Sequence, residues 1–140
     1  MTTLVTGGTG FIGGAIVAAL RARGEAVRVL ARPASRTAHL EGLGVEIAQG
    51  DILDRASVDR ALDGCRRVYH AAAIYAFWVP DRAALMRTEV EGTRTVMEAA
   101  RAATSAMPRN PRSGKPQVPS TAKPDRYTAS KPPFSIIRAP

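Results

Sequence analysis

The chain has 140 residues, 45% of them apolar, which gives room for one hydrophobic core and not two. No apolar run is long enough to cross a bilayer, and a single cysteine, Cys65, excludes a disulfide framework within the chain. The net charge of +8 is uneven: residues 1–103 carry 13 Arg against 11 acids, and residues 104–140 carry 7 basic residues against Asp125 alone.

The opening stretch has no basic segment and is interrupted by glycines, so it does not read as a signal peptide, and a soluble cytoplasmic protein is expected. Thr3-Leu-Val-Thr6 is a short β-branched run, expected as a first strand. Ile12, Ile16 and Leu20 recur at helical spacing and Gly24 follows as a stop, which predicts a first helix. Residues 26–31 read as strand two, Leu40 and Leu43 as a short helix, and residues 45–48 as strand three. Asp54 or Ser57 is expected to cap a helix carrying Val58, Ala61 and Leu62. Residues 67–72 read as strand four, and Met86, Val90, Thr93, Met97 and Ala100 share one face of a fourth helix over roughly residues 81–103. Alternating strands and helices imply right-handed βαβ units and a parallel, doubly wound sheet of about four strands in the order 3-2-1-4, with the ligand crevice between strands one and four.

At residue 104 the chain changes character. Eight of ten prolines lie at or after Pro108, eleven of twelve glycines lie before it, and all three lysines fall in the tail. Each proline removes a donor and obstructs a helix, so only Phe134-Ser-Ile-Ile-Arg138 looks strand-like there. The expected organisation is a dinucleotide-binding half-domain at 1–103 and a basic, Pro-rich, poorly structured tail at 104–140.

The chemistry is concentrated where strand one runs into Thr6-Gly-Gly-Thr-Gly-Phe-Ile-Gly13. Gly7 permits a tight turn, Gly10 a close backbone approach to phosphate, and Gly13 close packing of the helix on the sheet. With Phe11 and Ile12 at the helix opening, these residues form the expected pyrophosphate site, where free N–H groups and the helix dipole favour negative charge. The Rossmann-type context confirms the motif, because the glycines follow a strand and open a helix. Strand two ends at Leu30-Ala31-Arg32 with no carboxylate for the ribose hydroxyls. Arg32 could pair with a 2′-phosphate, which favours NADP(H), NAD being the other candidate; a solvated loop arginine is the plainer alternative.

On the residues of the glycine turn, Val27-Arg-Val-Leu-Ala-Arg-Pro33, Gly50-Asp-Ile52, Val68-Tyr-His-Ala-Ala-Ala73 and Val90-Glu-Gly-Thr93, the first 103 residues resemble the extended short-chain dehydrogenase/reductase family. The similarity is to its NAD(P)-dependent epimerase/dehydratase and dihydroflavonol-reductase-like branch, and the combination of Ala71-Ala-Ala-Ile-Tyr-Ala-Phe-Trp78 with Val90-Glu-Gly-Thr93 looks closest to hopanoid-associated sugar epimerases. The resemblance implies that Asp51 reaches the adenine amine and Ile52 lines its pocket, although Asp51 also fits a turn or cap. It implies that Ala71, Ala72 and Ala73 leave room for the cofactor, and that Tyr75, Phe77 and Trp78 line a substrate pocket or are apolar surface left uncovered.

The family's catalytic set implies a Ser or Thr, a Tyr and a Lys, the last two four apart on one helix face. A nearby ammonium lowers the tyrosine pKa for proton transfer while hydride moves to or from the nicotinamide. Tyr127-Thr-Ala-Ser-Lys131 has this spacing, with Ser120 and Thr121 the nearby hydroxyls, but Pro132 and Pro133 break the helix that should follow. The family's strand after residue 103 is not evident, and Glu89 stands where the family has Asn, a residue whose amide donates as well as accepts.

The expected function is an NAD(P)-dependent oxidoreductase or epimerase acting on a sugar or carbonyl substrate, in a truncated or frame-disrupted form. A dinucleotide-binding module without turnover is the alternative. No Cys/His/Asp spacing suggests a metal, nucleic-acid binding rests only on the basic tail, and a homodimer could cover exposed apolar surface. Cys65, beside Arg66 and Arg67, could have a lowered pKa, and His70 reads as a packed or edge residue.

Overall fold

The computed structural model of the chain describes residues 2–74, 81–106 and 136–138. Five parallel strands lie in the order β3-β2-β1-β4-β5: β1 (Thr2–Thr6), β2 (Ala26–Ala31), β3 (Glu46–Gln49), β4 (Cys65–His70) and β5 (Ile136–Arg138). The order 3-2-1-4 is the one expected. The strand-like C-terminal segment adds a fifth strand beside β4, with Val68 level with Ile136 and His70 with Arg138. The rest of the tail, including Ser120, Thr121, Tyr127 and Lys131, lies outside the described residues, as do Tyr75, Phe77 and Trp78.

Alternation along the central strands divides the core into two layers. On one face Leu4, Leu30 and Val68 pack with Val58, Ala61 and Leu62 of helix α2 (Arg55–Leu62) and with Val96, Ala99 and Ala100 of helix α4 (Thr93–Ala106). On the other face Val5, Val27 and Val29 pack with Val17 and Leu20 of helix α1 (Phe11–Ala22) and with Leu40, in a 3-10 turn at Ala38–Leu40. That turn replaces the expected second helix. Helices on both faces of a parallel sheet make this a Rossmann-type, doubly wound fold.

Two helical faces differ from the expected ones. In α1 the buried residues are Gly13, Val17 and Leu20, while Ile12 is exposed, because Gly13 must sit against the turn that precedes the helix. The fourth helix is composite: helix α3 (Arg82–Met86) runs through a π segment (Arg87–Gly92) into α4. The wider π turn rotates the face, so that Gly92, Val96, Ala99 and Ala100 are buried and Met86 and Val90 are exposed. Strand β4 begins at Cys65 and ends at His70, two residues earlier than expected at each end, and Ala71 to Ile74 form an irregular exit.

Candidate functional site

The site is built at the carboxyl ends of β1, β2 and β4, where the crossovers diverge. Thr6 ends β1 fully buried, and Gly7 turns the chain at φ +71°, in the left-handed region that favours glycine. A Cβ on Gly7 would lie 2.5 Å from the Ala71 carbonyl carbon, so the end of β4 closes directly on the turn. The Gly10 N–H donates to the Gly7 carbonyl at 2.9 Å, and Gly10 then serves as N-cap of α1. Gly13 packs under this turn, where a Cβ would lie 2.0 Å from the Gly7 oxygen.

The start of α1 has no side-chain cap and no acidic residue in its first turn. The leading N–H groups of a helix have no intrahelical acceptor, so Phe11, Ile12 and Gly13 present donors and the positive end of the dipole. Gly10, which has no side chain, lines the cavity beside them. The opening of α1 therefore fits a pyrophosphate group.

A cavity of about 200 Å³ lies beside this helix opening. Of the residues singled out from sequence, Gly7, Gly10, Arg32, Asp51, Ile52, Ala71, Ala72 and Ala73 all line it. Phe11, Ile12 and Gly13 do not: the side chains of the first two are exposed, and Gly13 is buried beneath the turn. Thr9, Leu30, Ser35, Ile74 and Thr88 also line the cavity and were not anticipated. Thr9 lies within the glycine motif and Ser35 three residues past Arg32, so proximity to those signals could have found both. The cavity shares Arg32, Ser35, Gly50 and Asp51 with a wider cleft of about 730 Å³ that continues toward α2.

Asp51 and Ile52 are held by α2 and the π segment. The Asp51 N–H donates to Ser57 Oγ at 3.0 Å, and the Ser57 hydroxyl lies 2.9 Å from the Asp51 and Asp54 carbonyls. One Asp51 carboxylate oxygen accepts from the Leu53 N–H at 2.9 Å, so the side chain stabilises its own turn while lining the cavity. Asp54 caps α2 by accepting from the Ala56 N–H. Ile52 is buried against Gly92, where an added Cβ would come within 2.5 Å of its Cδ1.

Three polar features link β4 to its surroundings. His70 is buried, with Nδ1 2.6 Å from Thr6 Oγ1 and Nε2 3.1 Å from Thr93 Oγ1, so it ties β1, β4 and the start of α4 together. Glu89 Oε1 accepts from the Ile74 N–H at 2.6 Å. The partner here is a donor, so a carboxylate at position 89 can hold the exit of β4. Cys65 is the reverse of an activated thiol: burial pushes it up to about 11, outweighing the attraction of Arg28. Arg67 is turned to Glu25 at 3.1 Å, and the Cys65 thiol donates to the Ala61 carbonyl at 3.3 Å.

Among the described residues no cluster of His, Cys, Asp and Glu could hold a metal ion, and no helix is long and apolar enough to cross a membrane. The family model for NAD dependent epimerases and dehydratases matches residues 3–113. The chain is 50% identical over 103 residues to sterol demethylase protein B of Methylococcus capsulatus, a match that covers 74% of this chain and 31% of that protein. It is 43% identical over 103 residues to cinnamoyl-CoA reductase 1 of Oryza sativa, with 69% of this chain and 29% of that one covered. Among solved structures it is similar to a UDP-glucose 4-epimerase of Thermus thermophilus in complex with NAD, at 34% identity and a TM-score of 0.67, covering 74% of this chain and 34% of that one. The chain thus spans about a third of the length of these proteins.

Proposed function

The chain belongs to the NAD dependent epimerase/dehydratase family, and on that premise we propose that it is the dinucleotide-binding part of an oxidoreductase or epimerase that acts on a sugar or other carbonyl compound and prefers NADP(H). The observation that carries this reading is the uncapped opening of α1 beside a cavity lined by Gly7, Gly10 and Ala71 to Ala73. The similar Thermus thermophilus structure was solved with NAD, which supports a dinucleotide in the same fold. The unit that binds it is proposed to be residues 1–103.

Bound there, the nicotinamide would supply a hydride donor or acceptor. The chain's own part is to hold and orient the dinucleotide. The amides of Phe11, Ile12 and Gly13 would hold the pyrophosphate, and the small side chains at 71–73 leave space along the crevice. Asp51 and Ile52 would bound the adenine. The preference for NADP(H) rests on Arg32, which follows β2 where a carboxylate would favour NAD, and which lines both the cavity and the cleft. Calorimetric titration with NADPH and NADH tests this: NADPH should bind more tightly, and Arg32→Ala should remove most of the difference. Equal affinities in the unaltered chain would overturn the preference, and no heat with either cofactor would overturn the binding site.

Tyr127 and Lys131 are proposed as the proton-transfer pair, on their four-residue spacing. A second reading, binding without turnover, is favoured by Pro132 and Pro133, which follow Lys131 directly in the sequence and are incompatible with the helix that would carry the pair. Substrate-dependent oxidation of NADPH that disappears in Tyr127→Phe, with cofactor affinity unchanged, would decide for the first reading. Tight NADPH binding with no turnover on carbonyl or nucleotide-sugar panels would decide for the second.

A further inference from the structure

Arginines from two elements line the cleft beyond the cavity. Arg32 stands on the loop after β2, and Arg60 stands on α2, five residues in from its start. Among the described residues neither side chain has an ion pair. Their neighbours are otherwise engaged. Arg28 pairs with Glu46, and Arg55 takes both Asp59 and, more distantly, Glu98. The cleft's carboxylates, Asp51 and Asp54, accept from the backbone N–H groups of Leu53 and Ala56, which partly satisfies their charge. Ser35 lines the same cleft and carries a hydroxyl, a neutral donor.

The cleft is continuous with the cavity through Arg32, Ser35, Gly50 and Asp51. A dinucleotide anchored by its pyrophosphate at α1, with its adenosine directed toward the ends of β2 and β3, would turn the outer face of its ribose into this cleft. We propose that Arg60 acts with Arg32 as a two-sided clamp on a phosphate carried by that ribose, which makes Arg60, a residue of α2, a determinant of cofactor specificity. The inference rests on the NADP(H) reading above. Two guanidinium groups drawn to one phosphate would offer planar donors to different oxygens of it, and a cleft of about 730 Å³ leaves room for the phosphate and bridging water.

The test uses fragments, so that it does not depend on turnover. Adenosine 2′,5′-bisphosphate and 5′-AMP are titrated calorimetrically into the unaltered chain and into Arg60→Gln, Arg32→Gln and Arg60→Lys, each first shown by circular dichroism to be folded. Losing one charge-assisted arm should weaken the bisphosphate about tenfold in Arg60→Gln and leave 5′-AMP within about twofold, and Arg60→Lys should recover part of the loss. If Arg60→Gln binds the bisphosphate like the unaltered chain while Arg32→Gln loses the preference, the clamp is wrong and the NADP(H) reading stands. An equal weakening of both fragments in Arg60→Gln also overturns the clamp. If the unaltered chain binds both fragments equally, the NADP(H) reading fails and the clamp with it.

Discussion

Replacing Gly13 with alanine separates the two demands placed on the glycine turn. The added Cβ would lie 2.0 Å from the Gly7 oxygen, 2.5 Å from the Gly7 carbonyl carbon and 2.9 Å from Gly8 Cα, all of them backbone atoms. Ordinary contact begins near 3.4 Å, so α1 and the turn must separate by more than 1 Å along that line. Neither can do so freely, because Val17 and Leu20 are locked into the core behind Gly13. Overpacking costs roughly 1–3 kcal/mol, and a backbone clash of this depth belongs at or above the upper end. Against a total stability of about 5–15 kcal/mol, a loss near 3 kcal/mol should lower the melting temperature by roughly 10 °C. Gly10→Ala is the control. Its Cβ meets only the Gly7 oxygen, at 3.3 Å, and its φ of −91° suits alanine, so the melting temperature should fall by only a few degrees. Gly10 also lines the cavity proposed to take the dinucleotide, so affinity for NADPH should fall at least tenfold. Thermal melts by circular dichroism and calorimetric titration read the two effects separately. If Gly13→Ala melts within about 2 °C of the unaltered chain, the account of the turn is wrong.

Two further outcomes concern Ser57, beside the cavity, and Cys65, at the start of β4. Ser57→Ala removes the buried hydroxyl that the part-buried Asp51 N–H donates to and should cost about 1–3 kcal/mol in urea unfolding, together with weaker adenosine binding; unchanged values for both would remove Ser57 as the support of Asp51. Cys65 should make the fold alkali-sensitive. Its thiol ordinarily titrates at 9.0 and burial raises it to about 11, so above pH 9 the unfolded chain loses this proton first and gains in relative stability. The stability from keeping the thiol neutral is complete below pH 9 and is lost as the pH rises through about 11. The loss should be smaller in Cys65→Ala, and parallel pH curves for the two proteins would contradict it.

Much of this architecture was legible because it depends on local signals. The run Thr3–Thr6 followed by glycines marked the central strand, which begins one residue earlier at Thr2, and its turn, and the alternation of strands with helices led to the order 3-2-1-4. Asp54 and Ser57 both read as caps of α2. Asp54 fills that role, and Ser57 is spent on the Asp51 turn instead, a choice that depends on the buried space beneath Gly50. The π segment carries no such local mark. It ends at Gly92, which packs onto Ile52, forty residues away in the chain. The links of His70 to Thr6 and Thr93 are equally nonlocal, so the sequence showed a histidine in a strand and nothing of its partners. Arginines beside Cys65 in sequence suggested activation, but an irregularity in the pairing of β1 with β4 falls between Cys65 and Arg67, Arg67 is turned to Glu25, and burial decides the thiol's state. Phe134–Arg138 looked strand-like in isolation, whereas its place beside β4 is a tertiary fact.

The backbone N–H signals of Phe11, Ile12 and Gly13, followed by NMR as NADPH is added to the isotopically labelled chain, test the central claim most directly. A diphosphate held at the opening of α1 should shift these three amides strongly and saturably, with the midpoint given by calorimetry. Saturable binding that leaves all three signals in place would contradict the account, because the dinucleotide would then be held somewhere else.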